Sequence, residues 1–124
     1  MDKWLGLAVG GVLGVFARYT IALSAATAWG AGFPYGTFII NVSGCFLIGV
    51  FEAWSGSVGL LGPAGRLFLM TGFCGAFTTF STLILETSNL MNDGQFLRAA
   101  VNFIGSGVVG FVLFRLGAYL GALV

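Results

Sequence analysis

Charge is the scarcest property of this chain. Only 7% of its 124 residues are charged, against about 25% in a typical soluble domain, while 58% are hydrophobic. The mean hydropathy is +1.03. So few polar side chains cannot cover a globule in water. The composition therefore predicts an integral membrane protein whose outer surface faces the lipid bilayer.

Other absences narrow the possible functions. Histidine is missing altogether, which removes the commonest general base and metal ligand. With a net charge of +1 and no basic cluster, the chain offers no electrostatic surface for nucleic acid. No plausible pair of nucleophile and base is present either, so we expect no enzymatic activity.

Cysteine occurs only twice, as Cys45 and Cys74, each inside an apolar run. A metal-binding pair and a structural disulfide are both alternatives for these residues. The apolar surroundings favour a third interpretation, in which each cysteine is a small buried hydrophobic residue.

Four apolar runs are long enough to cross a membrane, which takes about 20 helical residues. They cover residues 4–28, 34–54, 67–91 and 96–123. The connectors between them are short and rich in turn residues, and they leave no room for a soluble domain. Residues 1–124 are therefore predicted to form a single all-α membrane domain of four transmembrane helices. Gly6, Gly10 and Gly14 repeat at four-residue spacing, which is typical of helices that pack closely in lipid.

The orientation of these helices in the membrane is only weakly encoded. Orientation follows the distribution of lysine and arginine in short loops. Lys3 and Arg66 fall near one side of the membrane and Arg98 near the other, so the bias is slight. Two interpretations stay open. Either Lys3 and Arg66 fix one orientation, or the chain inserts both ways and two copies form an antiparallel dimer.

Ionisable side chains within the runs need a protein interior or a water-filled cavity around them. Arg18, near the middle of the first run, is interpreted as a fixed positive charge that attracts an anion, with a packing role as the alternative. Glu52 is expected to pair with Arg66 or Arg115. Asn41 and Asn102 are more typical of hydrogen bonds between helices than of ligand binding.

The third run is interrupted by polar residues. Gly72 and Gly75 precede Thr78-Thr79-Phe80-Ser81-Thr82, which predicts a broken helix at membrane depth. A break frees carbonyl groups before it, which suit a bare cation, and presents a positive helix end after it, which suits an anion. The positive edge of the Phe80 ring, next to hydroxyl groups, also suits a small anion. The alternative is a continuous helix whose hydroxyls bond back to the preceding turn.

Residues 72–82, with Glu86 four positions later, resemble the third-helix signature of the Fluc/CrcB fluoride channel family. The similarity extends to residues 34–37 leading into Asn41, to the glycines before Arg18, and to residues 102–107. It covers nearly the whole chain, and its third-helix motif is specific.

The resemblance implies a passive, fluoride-selective channel of the bacterial plasma membrane that exports cytoplasmic fluoride. It implies a dual-topology homodimer with two antiparallel pores and a structural sodium ion at its centre. The backbone carbonyls around Gly75 and Thr78 would hold that sodium. The anion pathway would comprise Asn41, Phe80, Ser81, Thr82 and Glu86, with Arg18, Thr37 and Ser106 at vestibular positions.

Leu83 departs from the family pattern, in which phenylalanine usually occupies this position. Leucine fills similar space but has no electropositive ring edge, so one aromatic contact to the anion would be missing. We therefore expect fluoride to pass with reduced throughput.

A small dual-topology multidrug exporter is the alternative function, since such proteins also have four helices at about this length. They depend on a carboxylate in the first membrane helix. Here that helix carries Arg18 and no acidic residue after Asp2, which argues against an exporter.

Overall fold

The computed structural model describes residues 2–124. It contains four helices that are long enough and apolar enough to cross a membrane. They are Lys3–Trp29, Tyr35–Ser55, Pro63–Asn92 and Phe96–Gly121. The predicted all-helical membrane fold is therefore confirmed. The third span begins at Pro63, four residues earlier than predicted. Proline is tolerated in the first turn of a helix, because the backbone N–H that it lacks would have no partner within the helix there.

The third span consists of four consecutive pieces. After helices α1 (Lys3–Trp29) and α2 (Tyr35–Ser55), it starts with the short helix α3 (Pro63–Arg66). A π-helical segment (Leu67–Cys74) and helix α4 (Gly75–Phe77) follow, and helix α5 (Phe80–Asn92) completes the span before the final helix α6 (Phe96–Gly121).

The predicted break in the third span is confirmed at Thr78 and Thr79. Their φ and ψ angles are −82° and 159° for Thr78 and −152° and 117° for Thr79, so both residues are extended. Extended backbone cannot continue a helix, so α4 ends at Phe77 and α5 begins only at Phe80. The π-helical segment before the break had not been predicted.

Buried glycines bring the helix backbones together. Helices α2 and α6 form the most extensive pairing. A Cβ atom at Gly49 would overlap with the carbonyl oxygen of Phe114, and one at Gly117 with that of Phe46. Helix α1 packs against the π-helical segment in the same way, through Gly10 and Gly14. The glycine spacing therefore marks true packing positions, as lipid-embedded helices require.

The surface of the chain is apolar and part of its interior is polar. Large side chains such as Leu97, Phe16 and Phe111 are exposed, whereas Thr37, Asn102 and Ser106 are buried. This distribution suits a lipid environment, where polar groups are costly on the outer face.

Glu52 pairs with Arg66 across the second connector, with 3.9 Å between Oε2 and Nη2. Arg66 also donates a hydrogen bond to the Ser55 hydroxyl. The expected partner of Glu52 is thus confirmed. Because both side chains are about half exposed, the pair adds little stability.

Candidate functional site

Asn41 of α2 holds the break of the third span with two hydrogen bonds. The backbone N–H of Thr79 donates to Asn41 Oδ1 over 2.8 Å, and Asn41 Nδ2 donates to the Thr79 carbonyl over 3.0 Å. One amide side chain thus satisfies both polar groups of an extended residue inside the membrane, where an unpaired group would be costly. The predicted role of Asn41 in bonding between helices is confirmed.

The carbonyl groups of residues 75–78 lose their usual helical partners at this break, those of Gly75 and Thr78 among them. In an unbroken helix the Gly75 carbonyl would accept from the N–H of Thr79, which instead donates to Asn41. The Thr78 carbonyl would accept from the N–H of Thr82, which instead donates to Thr79 Oγ1 over 3.3 Å. Gly75 is exposed on the surface of the single chain, and Thr78 is half-buried. The break therefore leaves carbonyl oxygens without helical donors, including those of Gly75 and Thr78, and oxygen ligands suit a hard cation.

Helix α5 begins inside the membrane-spanning region with Thr79 as its N-cap. The Thr79 hydroxyl accepts from the N–H of Thr82 and donates to the Thr82 hydroxyl over 3.0 Å. The N-terminus of a helix carries partial positive charge, which favours an anion nearby.

The largest cavity beside the break has a volume of about 490 Å³. We call it the aromatic cavity, because Phe80 lines it together with Asn41, Leu83 and Ser106. Phe80 is 70% exposed, whereas Leu83 is 7% exposed. The Phe80 side chain is thus accessible, while Leu83 forms a packed apolar wall.

Two smaller cavities continue from the aromatic cavity toward one end of the bundle. The arginine cavity, of about 260 Å³, is lined by Arg18, Thr37, Thr79, Thr82 and Glu86 among others. The vestibule, of about 380 Å³, shares Thr37 and Glu86 with it and also includes Asp93. Thr79 lines both the arginine and the aromatic cavities, so the three cavities adjoin one another in a line that carries polar groups at each shared wall.

Eight of the nine predicted pathway residues line these cavities. They are Arg18, Thr37, Asn41, Phe80, Thr82, Leu83, Glu86 and Ser106. Ser81 is the ninth, and it is exposed and lines none of the three. The reason is its position on α5, where the residues on either side of it face the cavities.

Several buried polar atoms along this line have no partner within the part of the chain that the structure describes. Thr37 donates to Glu86 Oε1 over 2.6 Å, but Glu86 Oε2 is buried without a partner. Arg18 Nε and Ser106 Oγ are likewise unpaired. Buried polar atoms are usually hydrogen-bonded, so these three call for water or an ion beside them.

Thr87 was missed by sequence reasoning, and Thr79 was assigned to the break but not to the anion pathway. Thr79 caps α5 and lines two cavities, and a threonine three positions before Thr82 at a helix start was the available signal. Thr87 accepts a hydrogen bond from Asn102 Nδ2 over 3.0 Å, which confirms the predicted role of Asn102 in bonding between helices. No sequence feature distinguished Thr87 as the partner.

The three cavities hold no cluster of hard metal ligands from side chains. Within residues 2–124, no group of three histidine, cysteine, aspartate or glutamate side chains is placed to hold a metal ion. Cys45 and Cys74 are both free, and both line the aromatic cavity. Each cysteine thus faces a ligand-sized space as well as apolar neighbours.

A family model described as "CrcB-like protein, Camphor Resistance (CrcB)" matches residues 5–118, which is most of the chain. The chain belongs to the CrcB family. Four spans in a single chain of this family make it a multi-pass protein of the plasma membrane.

Curated relatives of this CrcB protein bear the name "Fluoride-specific ion channel FluC". The protein from Chlorobium phaeobacteroides is 42% identical over 96% of this chain and 92% of its own length. Those from Chlorobaculum tepidum and Hydrogenobaculum are 44% and 40% identical, and each match covers at least 97% of both chains. The similarity to these CrcB relatives therefore extends through all four helices.

Proposed function

We propose that this protein is a passive fluoride channel that lets cytoplasmic fluoride leave the cell. The observation that carries the proposal is the line of three cavities, which passes the positive Arg18, the capped start of α5 and the exposed edge of Phe80. The named function of the CrcB relatives supports the same ion. The members of this family are ion channels, and the chain is not an enzyme.

Fluoride is small and strongly hydrated, so a selective path must replace its water with closely spaced donors. Asn41 Nδ2 has two N–H groups and uses one on the Thr79 carbonyl, which leaves one for an anion. The unpaired Ser106 hydroxyl offers a second donor in the same cavity. Phe80 contributes the positive edge of its ring. These groups act without proton or ATP coupling, as a passive pore requires.

Arg18 supplies the charge that draws an anion inward. It lines the arginine cavity with Glu86, whose carboxyl accepts from Thr37. An ionised Glu86 would lower the attraction, so that within the arginine cavity one acidic group would offset one basic group. Such a balance concentrates an anion without trapping it.

A structural sodium ion fits the carbonyl groups of Gly75 and Thr78. Sodium is a hard cation that prefers oxygen ligands, and these two oxygens have lost their usual helical donors. When bound, the ion would balance the partial negative charge that converging carbonyls create.

A second copy of the chain, in the opposite orientation, is proposed to cover this face. Gly75, Ser81 and Phe80 are exposed beside a break at membrane depth, where lipid is a poor partner for polar backbone. The slight difference in basic residues between the two sides permits both orientations. Two chains would then carry two antiparallel pores.

Ion flux from proteoliposomes tests the channel. We expect fluoride to leave and chloride to stay. Asn41→Asp, which removes a donor and adds negative charge, should abolish most of the flux. Phe80→Ala should slow it, whereas Phe111→Ala should not, since Phe111 is 65% exposed on α6 and lines none of the three cavities. Liposomes with the protein that release no more fluoride than empty ones would refute the proposal.

A further inference from the structure

We propose that the aromatic cavity also holds a binding site for a soft monovalent cation such as Ag⁺ or Cu⁺. The ligands are the sulfur atoms of Met70, Cys74 and Cys45, which all line this cavity. The binding site itself is independent of fluoride transport. Its effect on the anion rests on the proposed function.

Three different positions bring sulfur to one cavity. Met70 and Cys74 lie four residues apart on the π-helical segment, about one turn, so both can face the same side. Cys45 comes from α2 and lies against Gly110, since a Cβ atom there would be 3.1 Å from its Sγ. Gly110 is one turn after Ser106, another residue of the cavity lining. Three sulfur-bearing residues therefore line one space, which is walled by the broken span, α2 and α6.

The chemistry of the ligands selects the metal. Thiolate and thioether groups bind soft ions such as Cu⁺, whereas sodium, magnesium and calcium prefer oxygen. Cys74 is 2% exposed and both cysteines are free, so neither thiol is used in a disulfide within the chain. Packing alone would not require that both cysteines and Met70 reach the same cavity.

Binding changes the charge of the anion route. Each thiol that binds the metal gives up its proton to water, so one Ag⁺ replaces two protons on Cys45 and Cys74. The complex of one monovalent cation with two thiolates carries a net charge of −1, where two neutral thiols carried none. The thioether of Met70 adds a bond without adding charge. A negative group beside Asn41 and Phe80 would repel fluoride as well as occupy its path.

Silver binding to the purified protein is the direct test. In chloride-free buffer we expect one Ag⁺ per chain after gel filtration, measured by elemental analysis, with release of two protons per ion. Cys45→Ala and Cys74→Ala together should abolish binding. Met70→Leu should weaken it about tenfold, the lower end of what loss of a supporting partner costs a metal site. Met91→Leu is the matched control, since Met91 is half exposed in a different, apolar groove.

Fluoride efflux from proteoliposomes gives the second readout, and silver fluoride is soluble, so precipitation does not mimic a block. Silver should slow efflux in the wild-type protein and in Met91→Leu, but not in the double cysteine variant, each compared with its own rate without silver. Equal silver binding by the wild-type and double-variant proteins would overturn the site. If no fluoride leaves even without silver, the proposed function fails while the binding measurement still decides this inference.

Discussion

At the scale of single residues, the chemistry of the pathway depends on which side chains reach the cavities. Phe80 and Leu83 lie three residues apart on α5 and line the same cavity. Their environments differ, because Phe80 is largely exposed and Leu83 is buried. In the proposed channel, Leu83 thus occupies the position from which a second aromatic ring would face the anion.

Replacing Leu83 by phenylalanine is expected to speed fluoride efflux several-fold. The new ring would offer a positive edge inside a cavity of about 490 Å³, which has room for the larger side chain. Efflux from proteoliposomes, measured with a fluoride electrode, tests this. Ile84→Phe is the control, since Ile84 is its neighbour on α5 but lines none of the three cavities. Slower efflux in Leu83→Phe than in the wild-type protein would contradict the expectation.

The sequence predicted most of the residues of the candidate site but few of their contacts. Asn41 could be assigned to bonding between helices because an amide inside an apolar helix needs a partner. Its double bond to Thr79 could not be predicted, since it depends on how α2 and the third span pack. The same applies to Cys45. Its position in an apolar run did not reveal that it lines the aromatic cavity.

At the scale of helices, the third span shows what a sequence pattern can and cannot reveal. The break was predictable because glycine and hydroxyl residues cluster at one point of an apolar run. The π-helical segment before it was not, because residues 67–71 read like any apolar helix. This segment is also the one on which α1 packs with backbone directly against backbone.

Substitution of two glycines on α1 tests how tightly this helix packs against the π-helical segment. In Gly14→Ala the new methyl would overlap with the carbonyl oxygen of Phe73, so we expect a loss of about 1–3 kcal/mol of stability. Gly11→Ala has open space around it and should be neutral or stabilising, since alanine favours helix. Thermal unfolding in detergent compares the two variants. Equal midpoints would show that α1 can move away from the π-helical segment.

At the scale of the whole molecule, an apolar surface encloses a polar line. The exposed residues of α1 and α6 are mostly large and apolar, and the buried set includes Thr37, Asn102 and Ser106. Composition alone was enough to predict the apolar outer surface, because so few polar side chains cannot cover a globule in water. How copies of the chain assemble remains a prediction from the slight charge bias.

Labelling from each side of the membrane tests the proposed dual topology. Asp93→Cys and Ser57→Cys place exposed thiols in connectors on opposite sides of the bundle. With an impermeant maleimide added outside sealed vesicles, we expect about half of each variant to react, which is the outcome for equal populations of two orientations. Complete labelling of one variant and none of the other would establish a single orientation and exclude antiparallel pairing.

The two hydrogen bonds between Asn41 and Thr79 have a consequence for the order of biogenesis. Both partners belong to one chain, so the backbone N–H and carbonyl of Thr79 are satisfied before any second copy arrives. A newly inserted chain can therefore form the break in its third span as a monomer in the membrane. For the proposed dimer, assembly would then be a late docking step between finished surfaces, and its rate would depend on the density of chains in the bilayer.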